Sequence, residues 1–391
     1  MGAARTLRLA SEAPPVNPQG SASLRQHCFA GLRPAVCVAF FVLLPHLAAA
    51  QTSRFALDAV VAFDGDAGSE VPRKSTAWFD VFGAARIANG LDVRARPVVF
   101  RRSFDGAWQT QMYELALRYE RAGTIGVRID GGVFPSPIGF AVLENRPDKN
   151  PVISQHSTLY LPIPRVSVSP PPTVYEAGTP TTWLLAAAYP LGAKVTVSGS
   201  KWDARVAVMD SSPIRGRPLF GDNKPPRMTN VMAGVGFTPY IGVRLGAAVA
   251  AGDYASESEV RDKTRGDRHA TMAQVEGEWS FRYTRIAGEF LWTERGLATQ
   301  DATVNGGWIE ITQTLTPRIF AASRYDEQYT EWISADGRPL HEPYRRVETV
   351  IGYKLVPEVT LRASYMTRKG YVVAHWDDQF LASVVFAKKF F

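Results

Sequence analysis

Four arginines stand at spacings that could gather positive charge on one surface. Arg94 and Arg96 are two residues apart, and Arg118 and Arg128 lie in the two segments that follow. In an extended strand, residues i and i+2 point to the same face, so Arg94 and Arg96 would share one. Guanidinium groups along a wet cleft attract anions and steer charged solutes. These residues therefore indicate electrostatic rather than covalent chemistry.

Covalent catalysis has weaker support in the sequence. A nucleophilic site needs a serine within reach of a histidine, and although His156 precedes Ser157, neighbouring side chains in a strand or loop point apart. Asp377 and Asp378 near His375 could form an acid protease site, but a solvated loop explains them better. The histidines after residue 50 all fall on expected loops: His156, His269, His341 and His375. Without a thiolate or a close histidine pair, we expect no metal and no cofactor.

The segments that would position these residues alternate between apolar and polar. Leu115 and Leu117 interleave with Glu114 and Arg118, which is the pattern of a half-buried strand, and no segment has a clear helical period. The sequence therefore predicts an all-β chain of sixteen strands. The expected strands are 54–63, 77–88, 91–100, 108–120, 124–130, 181–189, 193–209, 230–237, 241–252, 270–281, 286–294, 307–315, 318–326, 346–355, 359–368 and 379–391.

The connections between these strands alternate between short and long. Short turns such as Asn89-Gly90 and 121–123 alternate with longer segments such as 64–76 and 253–269. A transmembrane antiparallel β-barrel has short periplasmic turns at one end and long outer loops at the other. The apolar parity changes within 193–209, which we interpret as a bulge because a turn there would give seventeen strands. The expectation is a closed barrel of about sixteen strands.

Aromatic residues fit two membrane interfaces. Tryptophans follow expected long loops and tyrosines stand beside short turns, as in the aromatic belts of barrels in lipid. The alternative is a general preference of strand ends for aromatic residues. The tryptophans are Trp78, Trp108, Trp183 and Trp308, and the tyrosines are Tyr119, Tyr189, Tyr240 and Tyr283.

The third outer connection, 131–180, is unusually long and contains ten prolines. A connection of this length in a compact pattern is functional or disordered. It also carries apolar residues, among them Phe134, Phe140 and Tyr160, which could pack. We therefore expect it to fold into the lumen as a constriction loop.

The first fifty residues have the features of a secretory signal peptide. A basic lead precedes the apolar run 35–44 and small residues at Ala48 and Ala50, so we expect cleavage after Ala50 and a barrel over 51–391. Cys28 and Cys37, the two cysteines, lie in the segment removed. Its removal takes away four arginines and Glu12 and lowers the net charge from +7 to +4. Basic and acidic residues are interleaved, so nucleic acid is not an expected partner.

The chain ends on Phe390 and Phe391. An amphipathic last segment ending in phenylalanine resembles the C-terminal signal that the barrel assembly machinery recognises in Gram-negative outer-membrane proteins, although Lys389 departs from it. The whole pattern resembles the sixteen-stranded outer-membrane porins. The stretch GGVFPSPIGFAVLEN, 131–145, resembles the G-x-F-x-x-P-x-G opening of the third loop in the phosphate-selective and related porins. Phosphate-specific porins carry a row of Arg and Lys residues on the inner wall and loop. Here only the four arginines and Lys149 could form such a row, so a general porin is favoured over a phosphate-specific one.

The resemblance implies a cell outer membrane location among outer-membrane lipids, a homotrimer, and passive diffusion of small hydrophilic solutes or ions. It also implies that the arginine wall faces charged residues of the inward loop. Acidic and basic residues roughly balance over the strands, so the sequence indicates only a slight preference for anions. A barrel enzyme of lipase or protease type, a structural or surface-docking barrel, and a soluble periplasmic all-β protein remain alternatives. The expected pore-lining residues are Arg94, Arg96, Arg118, Arg128, Glu144, Asp148, Lys149 and Arg165.

Overall fold

A computed structural model describes the barrel portion of the chain. The described residues are 54–68, 75–101, 106–159, 189–212, 214, 219, 227–257, 266–296, 301–333, 339–370 and 373–390. The expected signal peptide, Arg165 and Phe391 lie outside these ranges. No helix in the described ranges has the length and apolar character needed to cross a membrane.

Sixteen strands make up almost all of the regular structure. They are β1 (Phe55–Ala67), β2 (Thr76–Ala88), β3 (Leu91–Arg101), β4 (Trp108–Arg121), β5 (Gly126–Val133), β6 (Leu191–Ser198), β7 (Trp202–Met209), β8 (Asn230–Phe237), β9 (Val243–Ala255), β10 (Arg268–Phe281), β11 (Thr284–Gly296), β12 (Asp301–Thr314), β13 (Ile319–Ile333), β14 (Pro339–Val356), β15 (Val359–Gly370) and β16 (Val373–Lys389). A four-residue helix, α1 (Phe140–Leu143), and a 3-10 turn (Ser157–Leu159) lie between β5 and β6.

The sheet closes on itself. Each strand pairs antiparallel with its neighbours in sequence, and β1 pairs with β16 in a register that places Val61 opposite Phe386. The backbone N–H of Phe390 donates to the Leu57 carbonyl at 2.9 Å and extends this seam. Closure leaves no strand edge unpaired. The predicted all-β antiparallel barrel of sixteen strands is confirmed.

One of the predicted strands is wrong. The segment 193–209 is a hairpin of β6 and β7 rather than one bulged strand, and the backbone N–H of Gly199 donates to the Trp202 carbonyl across its turn. The parity changes there because the chain reverses. β5 pairs directly with β6, with Gly126 opposite Ser198, and the strand predicted at 181–189 lies outside the described residues except for Tyr189.

Several strands also begin earlier than the sequence predicts. β14 starts at Pro339 and β16 at Val373, so the connections before them are shorter than expected. The tight connections, such as 89–90, 282–283 and 315–318, still lie together at one end of the barrel, which we call the short-turn end.

The two faces of the sheet differ in chemistry. Apolar side chains cover the outward face, where Val235 is 57% and Ile351 is 62% exposed. The alternate positions point inward and include the fully buried Arg324, Asp326 and Glu348. This alternation gives an apolar exterior around a charged interior, as in a barrel surrounded by lipid.

The predicted aromatic belts are only partly present. Tyr240 and Tyr283 are exposed beside short turns, as predicted. Trp78 is instead buried on the inward face, where its ring stacks on Phe100 with centroids 5.3 Å apart. Trp308 is also buried, since its ring lies against that of His156.

Candidate functional site

The segment 134–159 contacts the inward face of the barrel wall. Its short helix α1 is held at its start by Glu289 on β11, whose carboxylate accepts the backbone N–H of Ala141 at 3.1 Å. Gly139 precedes this helix with φ +84°, and a Cβ atom there would lie 2.6 Å from Glu289 Oε2. Only glycine therefore allows the chain to pass this close to the wall.

Glu348 on β14 forms a second attachment. Its carboxylate accepts the backbone N–H of Ile153 at 2.9 Å and that of Ser154 at 3.2 Å. The Ser154 hydroxyl also donates to Glu348 Oε2. Ionised carboxylates make stronger hydrogen bonds than neutral acceptors, so a single buried carboxylate fixes the backbone of two consecutive residues.

Arg362 on β15 supplies the complementary donors. Its Nη1 donates to the carbonyls of Asn150 at 2.8 Å and Val152 at 3.0 Å. Its Nη2 donates to Ser383 Oγ on β16 at 2.9 Å. The planar guanidinium directs donors to the segment and to the neighbouring strand at the same time.

Asp326 on β13 organises the third attachment. It pairs with Arg324 at 3.1 Å and Arg346 at 2.9 Å, and it accepts the backbone N–H of Ser157 at 2.9 Å. Arg324 Nη2 donates onward to the Ser154 carbonyl at 2.6 Å. Because each of these buried charges has an opposite charge beside it, the cost of burying it is offset.

Glu144 and His156 lie next to each other in the segment. Glu144 pairs with Arg285 on β11, and its Oε2 lies 3.6 Å from His156 Nε2. Burial raises the pKa of Glu144, although Arg285 opposes this effect. Burial also lowers the pKa of His156 well below its usual value, with the nearby Arg324 acting in the same direction. The imidazole is therefore neutral at pH 7.

The predicted arginines Arg94 and Arg96 are inward-facing, and both pair with wall carboxylates. Arg94 Nε lies 2.7 Å from Glu114 on β4. Arg96 Nη2 lies 2.7 Å from the buried Asp80 on β2, and its Nε makes a second bond to the same carboxylate. Arg96 is thus the more deeply fixed of the two.

Arg118 and Arg128 share one carboxylate, that of Asp130 on β5. Arg118 Nε lies 2.5 Å from Asp130 Oδ1, whereas Arg128 Nε lies 3.5 Å from Asp130 Oδ2. Lys194 on β6 approaches the same carboxylate at 3.4 Å. The Arg128 side chain remains 39% exposed, against 11% for Arg96, so it is the better placed of these arginines to meet solutes.

The structure does not pair this arginine wall with the loop residues in the way that was expected. Glu144 contacts Arg285 on β11 instead, and Asp148 pairs with Arg146 of its own segment at 2.8 Å. Lys149 is exposed and has no ion pair within the described ranges. The contacts of the segment explain this difference, since they direct Glu144 towards β11.

Sequence reasoning missed the residues that hold the segment. Their only signal is that charged residues recur at inward positions of successive strands, which does not reveal their partners. The missed residues that contact the segment are Lys194, Arg285, Glu289, Arg324, Asp326, Arg346 and Arg362, and Asp80, the partner of Arg96, was also missed. Among the described residues, no group of three or more His, Cys, Asp or Glu side chains is arranged to hold a metal ion.

Comparison with known proteins shows the fold. No protein-family model and no curated protein sequence matches the chain. Three similar solved structures are OprB of Pseudomonas putida (10% identity, TM-score 0.56), OmpF of Salmonella typhi in complex with daunomycin (9%, 0.56) and an anion-selective porin from Comamonas acidovorans (9%, 0.54). The matches cover 86%, 85% and 86% of this chain, and 93%, 97% and 99% of the others, respectively. At these identities the chain shares the barrel fold of outer-membrane porins.

Proposed function

We propose that this protein is an outer-membrane channel for passive diffusion of small hydrophilic solutes or ions. The observation that carries the proposal is a closed sixteen-stranded barrel with an apolar exterior and a charged interior. An inward charge that stays partly exposed, such as Arg128, suits a wet lumen, whereas an exterior of Val, Ile and Leu suits acyl chains. The structural neighbours include porins and channels.

The size limit would come from the segment 134–159. Its contacts with Glu289, Arg324, Glu348 and Arg362 hold it against the wall formed by β11–β15. Ala141 and Val142 of the segment also pack in one buried cluster with Tyr113 of β4, so solutes would pass only where the segment leaves the lumen open. The constriction loop was expected over 131–180, and residues 160–180 lie outside the described ranges.

A slight preference for anions would come from the wall of β2–β6. Among the side chains with ion pairs there, six cations face four carboxylates. Arg86, near the short-turn end, is 59% exposed, and Arg128 is 39% exposed. The electric field of these charges is concentrated in a narrow, water-filled passage, so this small excess of cations would bias ion entry. The cations are Arg86, Arg94, Arg96, Arg118, Arg128 and Lys194, and the carboxylates are Asp80, Asp92, Glu114 and Asp130.

Export, assembly and oligomeric state belong to the same proposal. Residues 1–50 would direct export, and the last strand with its terminal Phe391 would be recognised by the barrel assembly machinery. The short-turn end would face the periplasm, and three copies would associate as in the porins that the sequence resembles. No covalent chemistry and no phosphate specificity is proposed.

Single-channel recording in planar bilayers tests the proposal. Ohmic steps are expected, with a reversal potential in a salt gradient that indicates weak anion preference. Neutralising Arg94, Arg96, Arg118 and Arg128 together should move that potential towards cation preference. Silent bilayers from correctly folded protein, with hydrolysis of lipid or peptide substrates in parallel assays, would instead support the barrel enzyme. Silent bilayers without hydrolysis would support a structural or docking barrel.

A further inference from the structure

Two neighbouring turns at the short-turn end form a cationic and apolar surface. Arg282 and Tyr283 connect β10 with β11, and residues 315–318, Leu-Thr-Pro-Arg, connect β12 with β13. The Thr314 backbone N–H donates to the Tyr283 carbonyl at 2.8 Å and joins the two turns. We call Arg282, Tyr283, Leu315 and Arg318 the rim patch.

Arg282 has an unfavourable backbone conformation. Its φ is +53°, and it is the one non-glycine residue with positive φ in the described part of the chain. A two-residue hairpin turn with positive φ at its first position normally has glycine there. The Arg282 guanidinium lies 5.2 Å from the centre of the Phe281 ring, which orients the cation along the outer surface. Strained residues of this kind concentrate at sites that bind ligands.

Arg318 is positioned by its own turn. The Thr316 hydroxyl accepts the backbone N–H of Arg318 at 3.2 Å and that of Ile319 at 3.0 Å. The Arg318 carbonyl in turn accepts the backbone N–H of Lys354 at 2.8 Å. These bonds fix the backbone from which the second cation projects.

The charge of the rim patch is uncompensated. Neither turn contains a carboxylate, and among the described residues neither Arg282 nor Arg318 has an ion pair. By contrast, Arg285 on β11, three residues after Arg282 in the chain, pairs with Glu278 at 3.0 Å. The lumenal arginines Arg94, Arg96, Arg118 and Arg128 are likewise paired. The rim arginines therefore differ from them in presenting free positive charge.

Apolar surface adjoins these cations. Tyr283 and Leu315 are exposed, and so are Trp279 and Phe281 on the outward face of β10 just before the turn. Adjacent turns are two strands apart, or about 10 Å by strand spacing. The two cations thus lie at a separation suited to neighbouring headgroups, beside a surface suited to acyl chains.

We propose that the rim patch binds the phosphate of an anionic phospholipid, with Arg282 and Arg318 contacting the headgroup and Trp279, Phe281 and Leu315 contacting the chains. Charge complementarity selects an anionic lipid over a zwitterionic one, because basic residues at a membrane surface attract anionic lipids. The inference rests on the membrane placement in the proposed function and does not require the barrel to conduct.

Native mass spectrometry of the purified protein in detergent tests this inference. Phosphatidylglycerol and phosphatidylethanolamine with identical chains are added in competition, and the lipid retained by the folded barrel is counted. Preferential retention of phosphatidylglycerol is expected, with a loss of about fivefold for each cation removed in Arg282→Gly and Arg318→Gln. Arg345→Gln, an exposed arginine on β14 paired with Glu327, is the matched control and should retain the preference.

The glycine variant separates binding from folding. Arg282→Gly relieves the positive φ, so its thermal stability should equal or exceed that of the unaltered protein while lipid retention falls. Equal retention of the two lipids, or an unchanged preference in the double variant, would overturn the inference. Equally effective displacement by soluble glycerol phosphate would also overturn it, because the site would then bind free phosphate. Silent bilayers with an intact lipid preference would reject the channel but not the rim patch.

Discussion

Glu348 accepts the backbone N–H of Ile153 at 2.9 Å although 195 residues separate the two along the chain. This bond joins strand β14 to the segment 134–159 on the inward face of the barrel. Glu348 is fully buried, so water cannot easily replace it as an acceptor. In the proposed channel, the size of the passage would therefore depend on a few wall residues that hold the segment in place.

Replacing this carboxylate should release part of the segment. In Glu348→Ala, the donors of Ile153 and Ser154 lose their acceptor, at a cost of about 1–3 kcal/mol for each donor left unsatisfied. We expect larger and noisier single-channel currents and a lower unfolding temperature by heat-modified gel migration. Glu348→Gln keeps one acceptor oxygen, so its single-channel current and its unfolding temperature should lie between those of Glu348→Ala and the unaltered protein. An unchanged conductance in a folded Glu348→Ala barrel would show that the segment does not limit the current.

Gly139 should tolerate no side chain. In Gly139→Ala the new methyl group meets Glu289 and the backbone must keep φ +84°, at a cost of about 1–3 kcal/mol. The loss should appear in urea unfolding followed by tryptophan fluorescence. Gly131→Ala is the control, since a Cβ there meets nothing within 4 Å. If both variants unfolded at the same urea concentration, the inference that Gly139 must lie close to Glu289 would be wrong.

Substitution of Arg128 should change ion selectivity, whereas substitution of Arg96 should change the stability of the fold. Arg128→Gln removes a partly exposed charge, so the reversal potential in a salt gradient should move towards cation preference with little change in unfolding. Arg96→Gln leaves the buried Asp80 without its partner, which costs about 3–5 kcal/mol. Arg121→Gln, at the exposed end of β4, should change neither quantity. An equal change of the reversal potential in Arg121→Gln and Arg128→Gln would contradict a lumenal role for Arg128.

His156 should destabilise the protein as the pH falls. Because its pKa is lowered in the fold, the unfolded chain takes up a proton near pH 6.5 while the folded chain does not. Stability present above that pH is lost below it, by up to about 1.4 kcal/mol per pH unit. The raised pKa of Glu144 acts in the opposite direction, since its penalty disappears as the pH falls towards 4.5.

His156→Phe isolates the histidine contribution. Phenylalanine keeps the ring contact with Trp308, and neither nitrogen of His156 has a hydrogen-bond partner among the described residues. Unfolding temperatures measured between pH 4.5 and 7.5 should depend less on pH in this variant than in the unaltered protein. Identical pH profiles would mean that His156 is protonated or solvated in the fold.

The sequence predicts the barrel well because the alternation of apolar and polar residues reflects its two surfaces. It fails at 193–209 because a bulge and a turn both reverse the parity, and the short polar stretch Ser198-Gly199-Ser200 does not distinguish them. The four arginines were assigned to the inward face by the same alternation. Two of their pairs could not be predicted, since Asp80 reaches Arg96 and Asp130 reaches Arg118 from a neighbouring strand and only register brings them close.

The attachments of the lumenal segment have no sequence signature. Arg362 and Glu348 occur at ordinary inward positions, and the backbone groups they bind lie about 200 residues away in the chain. Such contacts depend on the path of the segment inside the closed barrel, which no local pattern encodes.

Thiol modification during single-channel recording tests the channel most directly. Cysteine is introduced at Arg128 on the inward face or at Val206 on the outward face, and a charged, membrane-impermeant thiol reagent is added. If the lumen conducts and the exterior faces lipid, the current should change in steps for Arg128→Cys and remain constant for Val206→Cys. A constant current at Arg128→Cys with steps at Val206→Cys, or no current from a folded barrel, would contradict the proposed channel.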